Sequence, residues 1–159
     1  LENSLYHPQL AELAAFARAV PDLTIILNHI GGLVRVGAYA NRDDAVLPAW
    51  RRGIAAVAAC PNVIIKLGGV GQHRFGFDWH ARAQPIGSEE LAAALAPLMQ
   101  YCIEQFGPDR CMFESNFPVD KCALSYPVLW NAFKKMAQRY SEAEQDAMFR
   151  GTATRVYRL

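Results

Sequence analysis

The sequence predicts an α/β fold built on a parallel sheet, and two observations carry that expectation. Three short apolar runs, TIILNH at 24–29, NVIIKLGG at 62–69 and RCMFESNFP at 110–118, alternate with segments of helical spacing. Each run also carries polar residues toward its C-terminal end: His29 in the first, Lys66 in the second, Glu114 and Asn116 in the third. Ligands of parallel α/β folds bind outside the carboxyl ends of the strands, where the following loops are free to vary. A polar group inside a buried strand costs free energy unless it is paired, so these four residues need either a partner or a task.

Leu1 to His7 is expected to form a short strand. From Gln9 the apolar residues Leu10, Leu13, Ala14 and Ala17 recur at helical spacing until Pro21 interrupts them. TIILNH then supplies a strand and Gly31 to Asp44 a glycine-bearing loop. A helix is predicted over 45–60 with Trp50, Ile54, Val57 and Ala58 on its apolar stripe, and the Pro61-Asn62 turn leads into the β-branched run VIIKL. The segment Gly68 to Gly87 is long, aromatic and rich in His and Arg, a length more often functional than idle. Ser88 is expected to cap the next helix, with Glu89 and Glu90 in its first turn, Pro97 as a point of kinking, and Gly107-Pro108 as its end. After RCMFESNF, helices are predicted over 125–140 and from the capping box Ser141-Glu142-Ala143-Glu144 to a stop at Gly151. The order (β)αβαβαβα calls for right-handed crossovers between parallel strands.

With 159 residues, 52% of them hydrophobic, the chain is long enough for one well-buried core. The 19% of charged residues leave a formal net charge of +1, with no basic block or acidic tail to attract nucleic acid or a membrane surface. No apolar run approaches the roughly 20 residues that span a bilayer. Cys60, Cys102, Cys111 and Cys122 lack CxxC spacing, which argues against a disulfide framework or a zinc knuckle. With no export signal visible at Leu1, the expected setting is the cytoplasm.

Side chains alternate along a strand, so Met112, Glu114 and Asn116 share one face of the last run while Cys111, Phe113, Ser115 and Phe117 share the other. The same count groups Ile64, Lys66 and Gly68, and Ile25, Leu27 and His29. One apolar face and one carrying a charge or an imidazole on each strand is the pattern of a barrel whose interior is partly polar.

The segments LNHIGG, NVIIKLGG, RCMFESNFPVDK and the ending FRGTATRVYRL resemble the amidohydrolase-related family, the lactonase and decarboxylase branch of the amidohydrolase superfamily, along essentially the whole chain. The resemblance implies a (β/α)8 TIM-type barrel, of which residues 1–159 would be a single partial domain, the C-terminal half with strands five to eight and helices on the outer face. It also implies functional residues at the ends of strands five, six and eight, and the matching positions are His7, His29 and Asn116. The paired histidines of the family's first strand have no counterpart. Where the family has Ser-Asp-x-Pro, this chain reads Ser115-Asn116-Phe117-Pro118. An amide can neither take up a proton nor bind a metal as an anion.

That departure favours a metal-independent or weakly metal-dependent hydrolase, a lactonase acting on a sugar-derived or aromatic carboxylic acid lactone. The catalytic set is expected to be His7, His29, Glu114 and Asn116. His7 and His29 would polarise the ester carbonyl, Asn116 would donate to the developing oxyanion, and Glu114 or Asp120 would activate water. Glu114 and Lys66 have a second reading as a buried ion pair, and Asp120-Lys121 as a surface pair. Lys66, His73, Arg74, Trp79 and His80, most of them in the long loop, are expected to bind substrate. No cofactor is assigned with certainty; a divalent metal such as zinc is the candidate, and His7 and His29 would be its ligands if one is held. A metal-dependent decarboxylase of the same superfamily and a non-catalytic α/β ligand-binding module are the rival functions. Besides a small-molecule substrate, the expected partner is a second copy or the N-terminal half of the barrel, without which the half-barrel is expected to be inactive.

Overall fold

The computed structural model describes residues 1–159. Four parallel strands lie side by side in chain order: β1 (Glu2–Asn3), β2 (Ile25–Leu27), β3 (Val63–Leu67) and β4 (Cys111–Phe113). Helices α1 (Leu10–Ala19), α2 (Asp43–Ala58) and α3 (Ser88–Phe106) cross between them. After β4 come α4 (Tyr126–Ala137), α5 (Glu142–Asp146) and α6 (Thr152–Tyr157). Successive βα units in strict neighbour order form half of a (β/α)8 barrel. No helix is long and apolar enough to cross a membrane.

The helices follow their patterns. Leu10, Leu13, Ala14 and Ala17 of α1 are buried, as are Val46, Trp50, Ile54, Val57 and Ala58 of α2, whose first turn places Asp43 and Asp44 at the positive end of the helix dipole. Ser125 caps α4 by accepting from the Val128 N–H. The Ser141 box forms completely: Glu144 accepts from the Ser141 N–H at 2.8 Å and donates its own N–H to the Ser141 hydroxyl at 3.4 Å.

Several boundaries differ from expectation. The first strand is only Glu2–Asn3, and β2 and β4 stop at Leu27 and Phe113, although the next N–H groups, of Asn28 and Glu114, still donate to the Asn3 and Leu67 carbonyls at 3.0 and 3.2 Å. Gly87 rather than Ser88 occupies the cap of α3, and that helix runs unbroken through Pro97 to Phe106. Gly151 does not stop the last helix. Its φ of −60° is helical, and a π-turn over Ala147–Gly151 leads directly into α6, where buried Thr152 donates its hydroxyl to the Asp109 carbonyl at 3.1 Å.

The sheet has two distinct faces. Register pairs Ile26 with Ile64 and Lys66 with Met112, and Ile26, Ile64 and Met112 form a small apolar cluster covered by Ala153 and Val156 of α6. On the other face Ile25, Leu27, Val63, Ile65, Leu67, Cys111 and Phe113 join the main core beneath the helices. Ile25 and Leu27 therefore belong to the helix-facing side, and the grouping of His29 with them does not hold. Four successive residues, His29, Ile30, Gly31 and Gly32, have φ of 55°, 44°, 71° and 60°, and this left-handed turn breaks the alternation just after β2.

A left-handed conformation costs roughly 1–2 kcal/mol for a residue with a side chain and is least tolerated by a β-branched one. Ile30 is held in it by complete burial and by the fully buried Trp50, whose Nε1–H donates to the Ile30 carbonyl at 2.8 Å. Trp50→Phe keeps an aromatic ring but leaves that carbonyl unpaired. It is expected to lower the unfolding free energy by about 1–3 kcal/mol in urea titration, and an unchanged midpoint would show that the bond does not hold the turn.

Candidate active site

The left-handed turn after β2 aims His29 at Glu114, which follows β4. Glu114 Oε1 accepts from the His29 backbone N–H at 3.2 Å and lies 2.5 Å from His29 Nδ1. An oxygen already accepting from an amide is an acceptor for the ring as well, so Nδ1 carries the proton and Nε2 is left bare. The other carboxylate oxygen, Oε2, is 3.8 Å from Lys66 Nζ, and that ammonium also reaches Glu2 Oε1 and Oε2 at 3.2 and 3.3 Å. Glu2 in turn accepts from the Tyr157 hydroxyl. Burial alone would push the Lys66 ammonium down, yet Tyr157, Glu114 and Glu2 together hold its pKa above the ordinary lysine value. The Tyr157 hydroxyl likewise holds Glu2 below the usual carboxylate range.

His29 and Glu114 come from β2 and β4, which are not neighbours, so their contact spans the end of β3. Two glycines make room for it. A Cβ on Gly69, at φ +65°, would stand 2.1 Å from His29 Nδ1, and one on Gly68 would stand 2.1 Å from the Glu114 carbonyl oxygen. The run GG after VIIKL is therefore the floor on which the pair rests.

Asn116, at φ +53°, donates Nδ2–H to Asp120 Oδ1 at 2.7 Å, and Asp120 Oδ2 accepts from the Gly71 N–H at 2.9 Å. Asp120 is fully buried, which corrects its reading as half of a surface pair. Burial raises its pKa despite the Gly71 and Asn116 donors, which favour the carboxylate. Both its oxygens are engaged, so its part is to set the Asn116 amide and the Gly71 loop. The short spacing Asn116–Asp120 is the only trace of this in the sequence.

His7 is buried, its Nδ1 accepts from the Val34 N–H at 3.2 Å, and its ring packs edge-on against Tyr39 at 5.1 Å. It makes no hydrogen bond to His29 or Asn116. Arg74 sits over the rings of Tyr6 and Phe75, and its buried Nε and Nη2 have no partner. Trp79 is buried and stacked on Phe77 with ring centroids 4.3 Å apart, whereas His73 and His80 are exposed and in edge contact at 5.4 Å. A cleft of about 480 Å³ runs between the 79–85 segment and residues 117–126, and another of about 410 Å³ lies between Tyr6, Val34, Tyr39 and Arg74.

The strand ends do not supply a metal centre by themselves. His29 offers one free ring nitrogen because its other is committed to Glu114, His7 likewise offers one, and Asn116 offers a neutral amide whose nitrogen is bound to Asp120. A site with three protein ligands, the usual catalytic minimum for zinc, is not assembled from these groups. The linked contacts Glu2–Tyr157 and Gly69–His29 were invisible in the sequence, the first because its members stand 155 positions apart.

His7 predicts a pH dependence. Burial lowers its pKa from the ordinary 6.5, so the unfolded chain takes up a proton where the folded chain does not. Stability contributed by the neutral ring is intact above about pH 6.5 and is lost as the pH falls toward the folded value. The urea midpoint is expected to drop between about pH 7.5 and about pH 5.5, and to drop less in His7→Gln. Equal drops in both proteins would contradict the assignment.

Comparison with known proteins bears on the family and the fold. The chain is 36% identical over 155 residues to an uncharacterized protein, y4mH, of Sinorhizobium fredii, covering 98% of this chain and 46% of that one. It is 31% identical over 156 residues to an L-fucono-1,5-lactonase of Burkholderia multivorans, covering 98% and 50%. A crystal structure of an amidohydrolase from Burkholderia multivorans with bound HEPES superposes with a TM-score of 0.84 at 30% identity, over 99% of this chain and 52% of that one; a second crystal form of an amidohydrolase from that organism holds zinc. The chain thus spans about half the length of the relatives it matches. A family model described as amidohydrolase matches residues 2–159, in keeping with the parallel half-barrel: this chain belongs to the amidohydrolase family.

Proposed function

We propose that the protein hydrolyses a lactone, with His29 as the general base. The observation that carries the proposal is the 2.5 Å contact from Glu114 Oε1 to His29 Nδ1, which leaves Nε2 free to take a proton. Water activation falls to His29 rather than to Glu114 or Asp120, because Glu114 stands behind the ring and both Asp120 oxygens are occupied. The likeness to an L-fucono-1,5-lactonase supports a sugar-derived lactone as substrate.

In this reaction a water proton moves to His29 Nε2 as the water oxygen bonds the lactone carbonyl carbon. Glu114 stabilises the resulting imidazolium, as a carboxylate does behind a catalytic histidine. The second N–H of the Asn116 amide, the one not given to Asp120, donates to the oxyanion. Collapse breaks the ring C–O bond, His29 returns the proton to the departing alkoxide, and a hydroxy acid leaves. Arg74, with unpaired buried donors, supplies hydrogen bonds to an oxygen-rich substrate.

The test is hydrolysis of L-fucono-1,5-lactone by the intact protein. His29→Gln is expected to lower kcat by about 10²–10⁴ and Glu114→Gln to lower it as well, while Asn116→Ala is expected to cost about 10²–10³. Gly69→Ala, which drives a methyl group into the His29 ring, should resemble His29→Gln. Full turnover by a folded His29→Gln protein would overturn the proposal.

A further inference from the structure

The long segment after β3 carries a second cluster, on its exposed side, that the proposed hydrolysis does not use. His73, Asp78 and His80 each present one ligand atom, and these atoms lie within 4.8 Å of one another. His73 Nδ1 and Asp78 Oδ1 are 3.3 Å apart, which matches the separation of about 3.4 Å between two ligands of a tetrahedral zinc ion. The His80 ring meets the His73 ring edge-on with centroids at 5.4 Å, so a small rotation of either imidazole brings a nitrogen toward the same point. The side chains of His73 and Asp78 are 67% and 63% exposed, leaving the site open to an arriving ion.

The backbone beneath the cluster is anchored, which distinguishes it from a chance meeting of surface side chains. His73 opens one 3-10 turn (His73–Phe75) and His80 lies in the next (Trp79–Ala81), and each turn drives an aromatic side chain, Phe75 and Trp79, into the core. Phe77 between them stacks on Trp79 and lies under the Arg35 guanidinium at 5.2 Å. The Arg74 carbonyl accepts from the Arg35 N–H at 2.8 Å. Asp78 itself is held at φ +52°, a left-handed conformation that turns its carboxylate back toward His73. Little ordering remains to be done when a metal arrives.

We propose that His73, Asp78 and His80 form a binding site for a divalent transition metal, with zinc the best match to two imidazoles and one carboxylate. Such a donor set leaves a fourth position for water. The ion bridges the two 3-10 turns beside the cleft lined by Trp79, His80 and Phe117. This site is separate from the strand-end histidine and does not depend on the proposed hydrolysis.

Isothermal titration of the intact protein with ZnCl₂ tests it, using circular dichroism to confirm folding of each variant. One zinc per chain is expected to bind to the unaltered protein and to His29→Gln. In the double variant His73→Ala, His80→Ala its affinity is expected to fall by about 100-fold or more. Zinc binding that survives the double substitution, no zinc binding to the unaltered protein, or equal loss in His29→Gln would each overturn the proposal.

Discussion

The end of β3 has no side chains where its neighbours meet. Because Gly68 and Gly69 are bare, a histidine leaving β2 and a glutamate leaving β4 touch across the strand that separates them. The left-handed turn at 29–32 exists to make that reach. It places a β-branched residue in a conformation it would otherwise avoid, and the strain is contained by buried Ile30, by the Trp50 hydrogen bond and by the Glu114 carboxylate itself. Backbone strain held by the surrounding packing at the site of chemistry is a recurrent feature of enzymes.

From this contact the polar part of the sheet's inner face is organised as a chain of charges. Glu114 balances Lys66, Lys66 balances Glu2, and Tyr157 from the last helix closes the series. The ion-pair and catalytic readings of Glu114 are therefore compatible, since one oxygen faces the ammonium and the other the imidazole. Deeper in the sheet the same face turns apolar, where Ile26, Ile64 and Met112 lie under Ala153 and Val156. The C-terminal helix thus contributes at both levels, packing below and a hydroxyl above.

Much of the fold is legible in the sequence because its signals are local. Alternation of β-branched runs with helical stripes, the Ser141 capping box and the glycine at 107 each specify a piece of backbone within a few residues. The polar residues His29, Glu114 and Asn116 stand out because buried strands rarely carry them. What the sequence hides depends on distance or on backbone reversal. Parity counting puts His29 on the helix-facing side, since nothing in Asn28-His29-Ile30 announces four left-handed residues in a row. Asp120 reads as a surface charge because its partners, the Gly71 N–H and the Asn116 amide, come together only in the folded chain. Gly151 reads as a stop, yet the tertiary anchor of Thr152 carries the helix through it.

The account rests on a histidine whose proton is fixed at one nitrogen by a carboxylate, and the tautomer is directly observable. In ¹⁵N-edited NMR of the imidazoles of the intact protein near neutral pH, His29 is expected as the Nδ1–H form, converting toward the Nε2–H form in Glu114→Ala, which removes the acceptor. A His29 ring protonated at Nε2 in the unaltered protein, or one whose tautomer ignores the loss of the carboxylate, would contradict it.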